Sequence, residues 1–163
     1  NGNEMIPIGE RGYNPYWNIY ENTNSDTRDR VSGSMNLEVK LLPGLKGVGK
    51  AGLDAYWWKG MEFFNLGARS DVDGGMKNWI NNSTSTNFEA LLMYNKTFHK
   101  ISVNAIAGIS RYERNSEKRT ESVNSILVPD FKNISNSNEY PSATQLQSKK
   151  IIRSAYGLSL IHI

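Results

Sequence analysis

Apolar and polar residues alternate along much of this chain with a period of two. From Arg30 to Leu41 the separation is nearly complete: Val31, Gly33, Met35, Leu37, Val39 and Leu41 fall on one face, and Arg30, Ser32, Ser34, Asn36, Glu38 and Lys40 on the other. Successive side chains of an extended strand point to opposite faces, so this is a strand of about twelve residues, apolar on one side and wet on the other. Leu42-Pro43-Gly44-Leu45 follows, and Pro-Gly marks a turn. A second strand then runs from Lys46 to about Trp58. Gly47, Gly49, Ala51, Leu53, Ala55 and Trp57 share one face; Lys50, Gly52, Asp54 and Tyr56 share the other. Asn87 to Tyr94 reads as a third strand with Phe88, Ala90, Leu92 and Tyr94 together, its other face mixing Leu91 and Met93 with Asn87 and Glu89. A short link through Lys96, Thr97, Phe98 and His99 leads to a fourth strand, where Ile101, Val103, Ala105, Ala107 and Ile109 alternate with Ser102, Asn104, Ile106, Gly108 and Ser110. A fifth strand is expected to begin near Lys150.

The connections alternate too. Those after the first and third strands are about four to six residues, and those after the second and fourth roughly thirty, far beyond ordinary hairpin lengths. Both long ones are polar: residues 70–87 hold Asp71, Asp73, Asn78, Asn81, Asn82 and a Ser/Thr run, and residues 115–148 are rich in Ser, Asn and Lys. Long connections on one edge and short turns on the other are the arrangement of an outer-membrane barrel, whose strands of about ten residues cross the bilayer at a tilt. The expected fold is therefore all-β, an antiparallel up-and-down meander forming part of a transmembrane β-barrel. Strands are placed near 28–41, 46–58, 86–96 and 100–113. A soluble β-sandwich would share the alternation, and it stands as the rival architecture.

Composition narrows the classes. The 163 residues suffice for one ordinary domain. Mean hydropathy is −0.55, and no apolar run approaches the ~18 residues of a membrane helix. Net charge is +3, from 19 basic and 16 acidic residues. Lys149, Lys150 and Arg153 with two isoleucines between them are too few for a nucleic-acid footprint, so no nucleic-acid partner is expected. Cysteine is absent and histidine occurs only at His99 and His162, which leaves Cys-based and Ser-His-Asp chemistry without its parts. Catalytic, cofactor-binding and metal residues are accordingly none, and the chain is not expected to be an enzyme. Asp54 and Glu89 would form a carboxylate pair, but both belong to the wet face. Asp71-Val72-Asp73-Gly74-Gly75 starts like a calcium loop, yet the twelfth position is Asn82 rather than Glu, which favours a solvated turn. Asn82-Ser83-Thr84, Asn95-Lys96-Thr97 and Asn133-Ile134-Ser135 match the glycosylation pattern as Asn-rich segments do by chance.

Several stretches resemble one family. Asn14-Pro15-Tyr16-Trp17, then Glu21-Asn22 and Asp26-Thr27-Arg28-Asp29-Arg30, look like a passage of the SusC/RagA family of TonB-dependent outer-membrane transporters. Gly49-Lys50-Ala51-Gly52-Leu53-Asp54 is similar to that family's next strand, and Phe88-Glu89-Ala90-Leu91-Leu92-Met93-Tyr94-Asn95-Lys96-Thr97-Phe98 to the strand and turn after it. Val128-Pro129-Asp130-Phe131-Lys132-Asn133-Ile134-Ser135 resembles a loop passage, and Ser154-Ala155-Tyr156-Gly157 the start of a further strand. The match runs in order over most of residues 14–157. The resemblance implies a Gram-negative outer-membrane importer of glycans or peptides with a plug domain, driven by the TonB–ExbB–ExbD complex and capped by a SusD-like surface lipoprotein. It also implies that residues 1–157 are a partial barrel domain of about five of 22 strands, embedded in outer-membrane lipid. The competing function is a soluble carbohydrate-binding β-sandwich module of a secreted protein.

The chain begins at Asn1 without a start Met, which reads as a fragment. Its last residues, Leu158-Ser159-Leu160-Ile161-His162-Ile163, depart from the family pattern and look like the translation of a transposon-derived sequencing adapter, CTGTCTCTTATACACATC. Candidate sites follow from the faces. Trp57 and Tyr94, on the apolar face at opposite ends of their strands, fit membrane-interface aromatics. Tyr56 and Trp58 point the other way, where aromatic faces stack on sugar rings or pack among loops.

Overall fold

A computed structural model describes residues 15–67 and 73–162. One helix, α1 (Pro15–Glu21), precedes five strands: β1 (Thr23–Leu42), β2 (Leu45–Phe64), β3 (Gly75–Phe98), β4 (Ile101–Asn124) and β5 (Ser142–His162). They form one five-stranded sheet in the order β1-β2-β3-β4-β5, an antiparallel meander with β1 and β5 at its edges. Pro15 opens α1 where its missing N–H costs nothing. Seven residues are too few for a helical period to be read, and the helix was not anticipated.

Two hairpins turn in two residues. Pro43-Gly44 joins β1 to β2, and Gly44 takes φ +87°, which a side chain would strain. A Cβ there would also lie 2.5 Å from the carbonyl oxygen of Asn95. His99-Lys100 joins β3 to β4, with His99 at φ 56°.

The long connections correct the sequence reading. They were expected at about thirty residues; they occupy 65–74 and 125–141, because β2, β3 and β4 run on to Phe64, Gly75 and Asn124. Likewise β5 begins at Ser142, not near Lys150. The physical reason is that residues 75–86 and 114–124 carry polar side chains on both faces, so their alternation is invisible to hydropathy. They stay extended by backbone pairing and by side-chain ladders such as Lys77 with Glu62, 3.7 Å apart.

By contacts the chain divides into two compact units. The first comprises Asn1–Asp29, Trp57–Asn82 and Glu117–Gln147; the second Arg30–Tyr56, Ser83–Ser116 and Ser148–Ile163. The first unit has a small apolar core of Phe63, Met76, Val123 and Ile126, with Met61, Leu66 and Ile134 packed on it. Phe63 is only 1% exposed, and burying such a side chain contributes about 1.5–3 kcal/mol.

Among the described residues the second unit has no such core. Its apolar side chains lie in the open: Met35 is 72% exposed, Leu37 63% and Ile109 63%. A β-sandwich would bury this face against a second sheet, whereas the described residues make a single sheet.

Candidate functional site

The polar face of the second unit is built from cross-strand pairs. Arg30 Nε donates to Asp54 Oδ1 at 2.7 Å. Lys46 Nζ reaches Glu38 Oε1 at 2.8 Å. Lys50 Nζ lies 2.9 Å from Glu89 Oε2, while Tyr156 Oη donates to Glu89 Oε1 at 2.6 Å. Asp54 and Glu89 are therefore not a carboxylate pair: each is matched by its own cation, which leaves neither poised for acid–base work. Arg114 Nε donates to Ser83 Oγ at 3.2 Å, and Tyr112 Oη to Ser85 Oγ at 3.4 Å. A shallow hollow of about 390 Å³ opens among Gly33, Gly52, Asp54, Tyr56, Ser85 and Tyr112. Tyr56 thus lines this recess together with Asp54, Ser85 and Tyr112.

Trp58 belongs to the first unit. Its Nε1 donates to Asp26 Oδ2 at 2.7 Å, and its ring stands nearly perpendicular, 83°, to that of Trp79 with centroids 6.2 Å apart. Trp79 lies flat on Gly60, leaving no room there for a Cβ. Sequence reasoning missed Trp79, which lies in a stretch taken as loop, and Tyr112 and Arg114, which stand at the end of the fourth strand beyond its clean alternation of Ile101 to Ile109. The readable signal was a Trp two residues before the alternating Asn/Ser/Thr run.

The apolar-face aromatics also separate. Trp57, in the first unit, is 49% exposed; Tyr94, in the second, is half-buried near the end of β3. His99 sits in its hairpin turn and His162 at the end of β5. Asp71 and Val72 of the calcium-like stretch lie outside the described residues. Asp73 and Gly74 use their backbone carbonyls to accept from Ile126 and Ser125, both at 2.9 Å. Among the described residues no three His, Cys, Asp or Glu side chains converge to hold a metal.

The connection 125–141 is held by two buried asparagines. Asn65, 3% exposed, donates through Nδ2 to Glu21 Oε2 at 2.7 Å and to Asp130 Oδ1 at 2.9 Å. Its Oδ1 accepts from the Leu66 and Asp130 amides, and its own amide donates to Asn22 Oδ1. Asn136, also 3% exposed, donates to the carbonyls of Val128 and Phe131 and accepts from the amides of Leu127 and Val128. Every polar atom of both amides is thereby matched, as burial requires.

Beyond Ile109 the other face of β4 turns charged. Glu113 is contacted by Lys149 Nζ at 2.9 Å and by Arg111 at 2.6 Å. The Lys149 hydrogen bond first, then those of Arg111 and Asn115, hold its carboxyl down at about 2. Glu117 is lowered in the same sense by Arg119, then Gln145 and Gln147.

A single antiparallel meander with one exposed apolar face and one ion-paired polar face defines a barrel-wall class of β protein rather than a sandwich. Solved structures of that class match it. The RagAB peptide importer in the 'open-open' state aligns with a TM-score of 0.83 over 99% of this chain at 12% identity. A structure of the RagAB peptide transporter gives 0.78 over 90% at 12% identity, and the importer in the 'closed-closed' state 0.77 over 99% at 12%. The chain spans 19%, 17% and 19% of those chains, respectively. At this identity the likeness establishes the fold. No family model and no curated protein matches the sequence.

Proposed function

We propose that this chain is part of the transmembrane β-barrel of a SusC/RagA-type importer in the outer membrane of a Gram-negative bacterium. The apolar face faces lipid and the ion-paired face the lumen. The observation that carries the reading is the exposed apolar side of the second unit, with Val31, Met35, Leu37, Phe88 and Ile109 all open to the surroundings. A contiguous apolar face is a poor surface to keep in water, and it costs nothing in hydrocarbon. The match to importer structures supports the same reading.

On this reading the band in contact with lipid covers roughly residues 31–41, 47–57, 88–94, 101–109 and the middle of β5. Trp57 and Tyr94 serve as interfacial aromatics. Tyr56 and Trp58 are the lumenal aromatics available to a passing substrate, a peptide or a glycan. The complete protein works with a SusD-like surface lipoprotein and draws on the TonB–ExbB–ExbD complex through segments outside this chain. Its role is transport, not catalysis.

The test is genetic. The gene carrying this segment, extended upstream, should encode a plug domain in the same frame. Its deletion should abolish growth on oligopeptides or on oligosaccharides, and the complete gene should restore growth only where TonB is present. Restoration in a strain without TonB, or a secreted hydrolase module upstream in place of a plug, overturns the reading.

A further inference from the structure

Arg114 on β4 is a cation without an acid. Its Nε donates to Ser83 Oγ at 3.2 Å, and Ser83 is itself only 4% exposed. That bond fixes the plane of the guanidinium, and the two terminal nitrogens make no hydrogen bond or ion pair among the described residues. Arg114 lines the recess of about 390 Å³ on the polar face of the second unit, together with Asp54, Tyr56, Ser83, Ser85 and Tyr112. Asp54 is the one acid in that lining, and Arg30 Nε holds its Oδ1 at 2.7 Å. The bond from Tyr112 Oη to Ser85 Oγ joins two neutral groups. One positive charge is left over, that of Arg114.

The recess is open rather than packed. Gly52 adds no side chain to it, and a Cβ there would meet only Asn87 Cβ at 3.8 Å and the Gly33 carbonyl oxygen at 4.0 Å. An uncompensated charge in a concave surface draws in a counter-ion. A guanidinium anchored at Nε presents its terminal nitrogens as a fork, which matches the two oxygens of a carboxylate through parallel hydrogen bonds. A single leftover charge suits a carboxylate, whereas a phosphate dianion would bring twice that. Tyr56 and Tyr112 line the same space, and their rings offer apolar faces to the carbon atoms beside a carboxylate.

We propose that this recess is a lumenal subsite for a carboxylate of the transported molecule. Arg114 holds the carboxylate oxygens, and Tyr56 and Tyr112 cover the carbons next to them. A peptide C-terminus and a uronic acid share that chemistry. The proposal rests on the lumenal assignment made above and adds a ligand class to it.

The complete transporter, purified in mild detergent, is titrated calorimetrically with penta-alanine, with the same peptide amidated at its C-terminus, with oligogalacturonate and with its methyl ester. In wild type a free acid should bind about tenfold more tightly than its neutral form, the worth of a charge-assisted contact. Which of the two pairs shows the preference separates peptide from glycan. Arg114→Gln should erase the preference and leave binding of the amide or ester as it was. Should that variant not fold, Arg114→Lys, which keeps the charge and removes the fork, should reduce the preference. Equal binding of acid and neutral form in wild type, a preference unchanged by the substitution, or no binding of either acid each overturns the site. An impermeant maleimide at Asn36→Cys reads the facing separately. Labelling there alongside a failed carboxylate test removes only the site; protection from labelling removes the lumenal assignment itself.

Discussion

Tyr156 on β5 donates its hydroxyl to Glu89 on β3 at 2.6 Å, spanning the whole width of β4. The span exists because Gly108 on β4 has no side chain. A Cβ there would lie 2.6 Å from Tyr156 Cζ and 2.6 Å from Leu91 Cδ2. Gly108→Ala should therefore displace the Tyr156 ring and break its bond to Glu89. In urea-dependent refolding of the complete protein the change should cost about 1–3 kcal/mol, the range for overpacked sites. Tyr156→Phe should cost less, and the two changes together less than their sum. Strict additivity would mean that the ring and the glycine are independent.

Asn65 joins α1, the end of β2 and the connection 125–141 through one side chain. Asn65→Ala should leave buried partners unmatched and cost about 1–3 kcal/mol. Amide hydrogen exchange should rise first at Leu66 and Asp130, whose N–H groups lose their acceptor. Asn65→Asp should be worse than Ala, because it sets a third carboxylate against Glu21 and Asp130. If exchange across 125–141 is unchanged in both variants, the asparagine does not hold the connection.

Leu37 and Asn36 are adjacent in β1 and belong to opposite faces. In the complete barrel Leu37→Arg should cost about 2–4 kcal/mol near the bilayer midplane, while Asn36→Arg should cost little. The comparison is a refolding titration into lipid vesicles. Equal costs at the two positions would refute the facing assigned to β1.

Glu113 lies beyond the apolar band, and its carboxyl is held at about 2 against an ordinary value of 4.5. A carboxyl lowered on folding stabilises the folded state above the unfolded pKa and loses that contribution as pH falls through the folded one. The ion pairs with Lys149 and Arg111 should therefore weaken between about pH 4.5 and about pH 2. Glu113→Gln should flatten the pH dependence of stability in that window and leave it unaltered above. A carbon-13 titration of the Glu113 carboxyl that centres near 4.5 would show that the pairs do not persist in solution.

Residues 158–163 carry a separate prediction about origin. β5 continues through Leu158 and Leu160, which are 69% and 63% exposed. By alternation from Tyr156 they fall on the polar face, where apolar side chains serve neither lipid nor lumen. We propose that these codons are adapter sequence, and a strand can form over them whatever encoded them. Resequencing the locus from a library made without transposase decides the matter. Native codons for Leu-Ser-Leu-Ile-His-Ile after Gly157 would sink the proposal.

The sequence by itself determined the strands that separate polar from apolar. The faces of β1, the Pro43-Gly44 turn and the alternation of Ile101 to Ile109 follow from a period of two and from backbone sterics, both local properties. It also determined the two hairpins, β1 with β2 and β3 with β4, since short turns can only join antiparallel neighbours. Tertiary structure alone decided the rest. Residues 75–86 are strand because they pair with β2 and β4, not because their side chains prefer one face. Trp79 needs Gly60, Tyr156 needs Gly108, and Asn65 needs Glu21 and Asp130, partners 19 to 65 positions away in the chain. Such contacts depend on strand register and chain reversal, which no local pattern encodes.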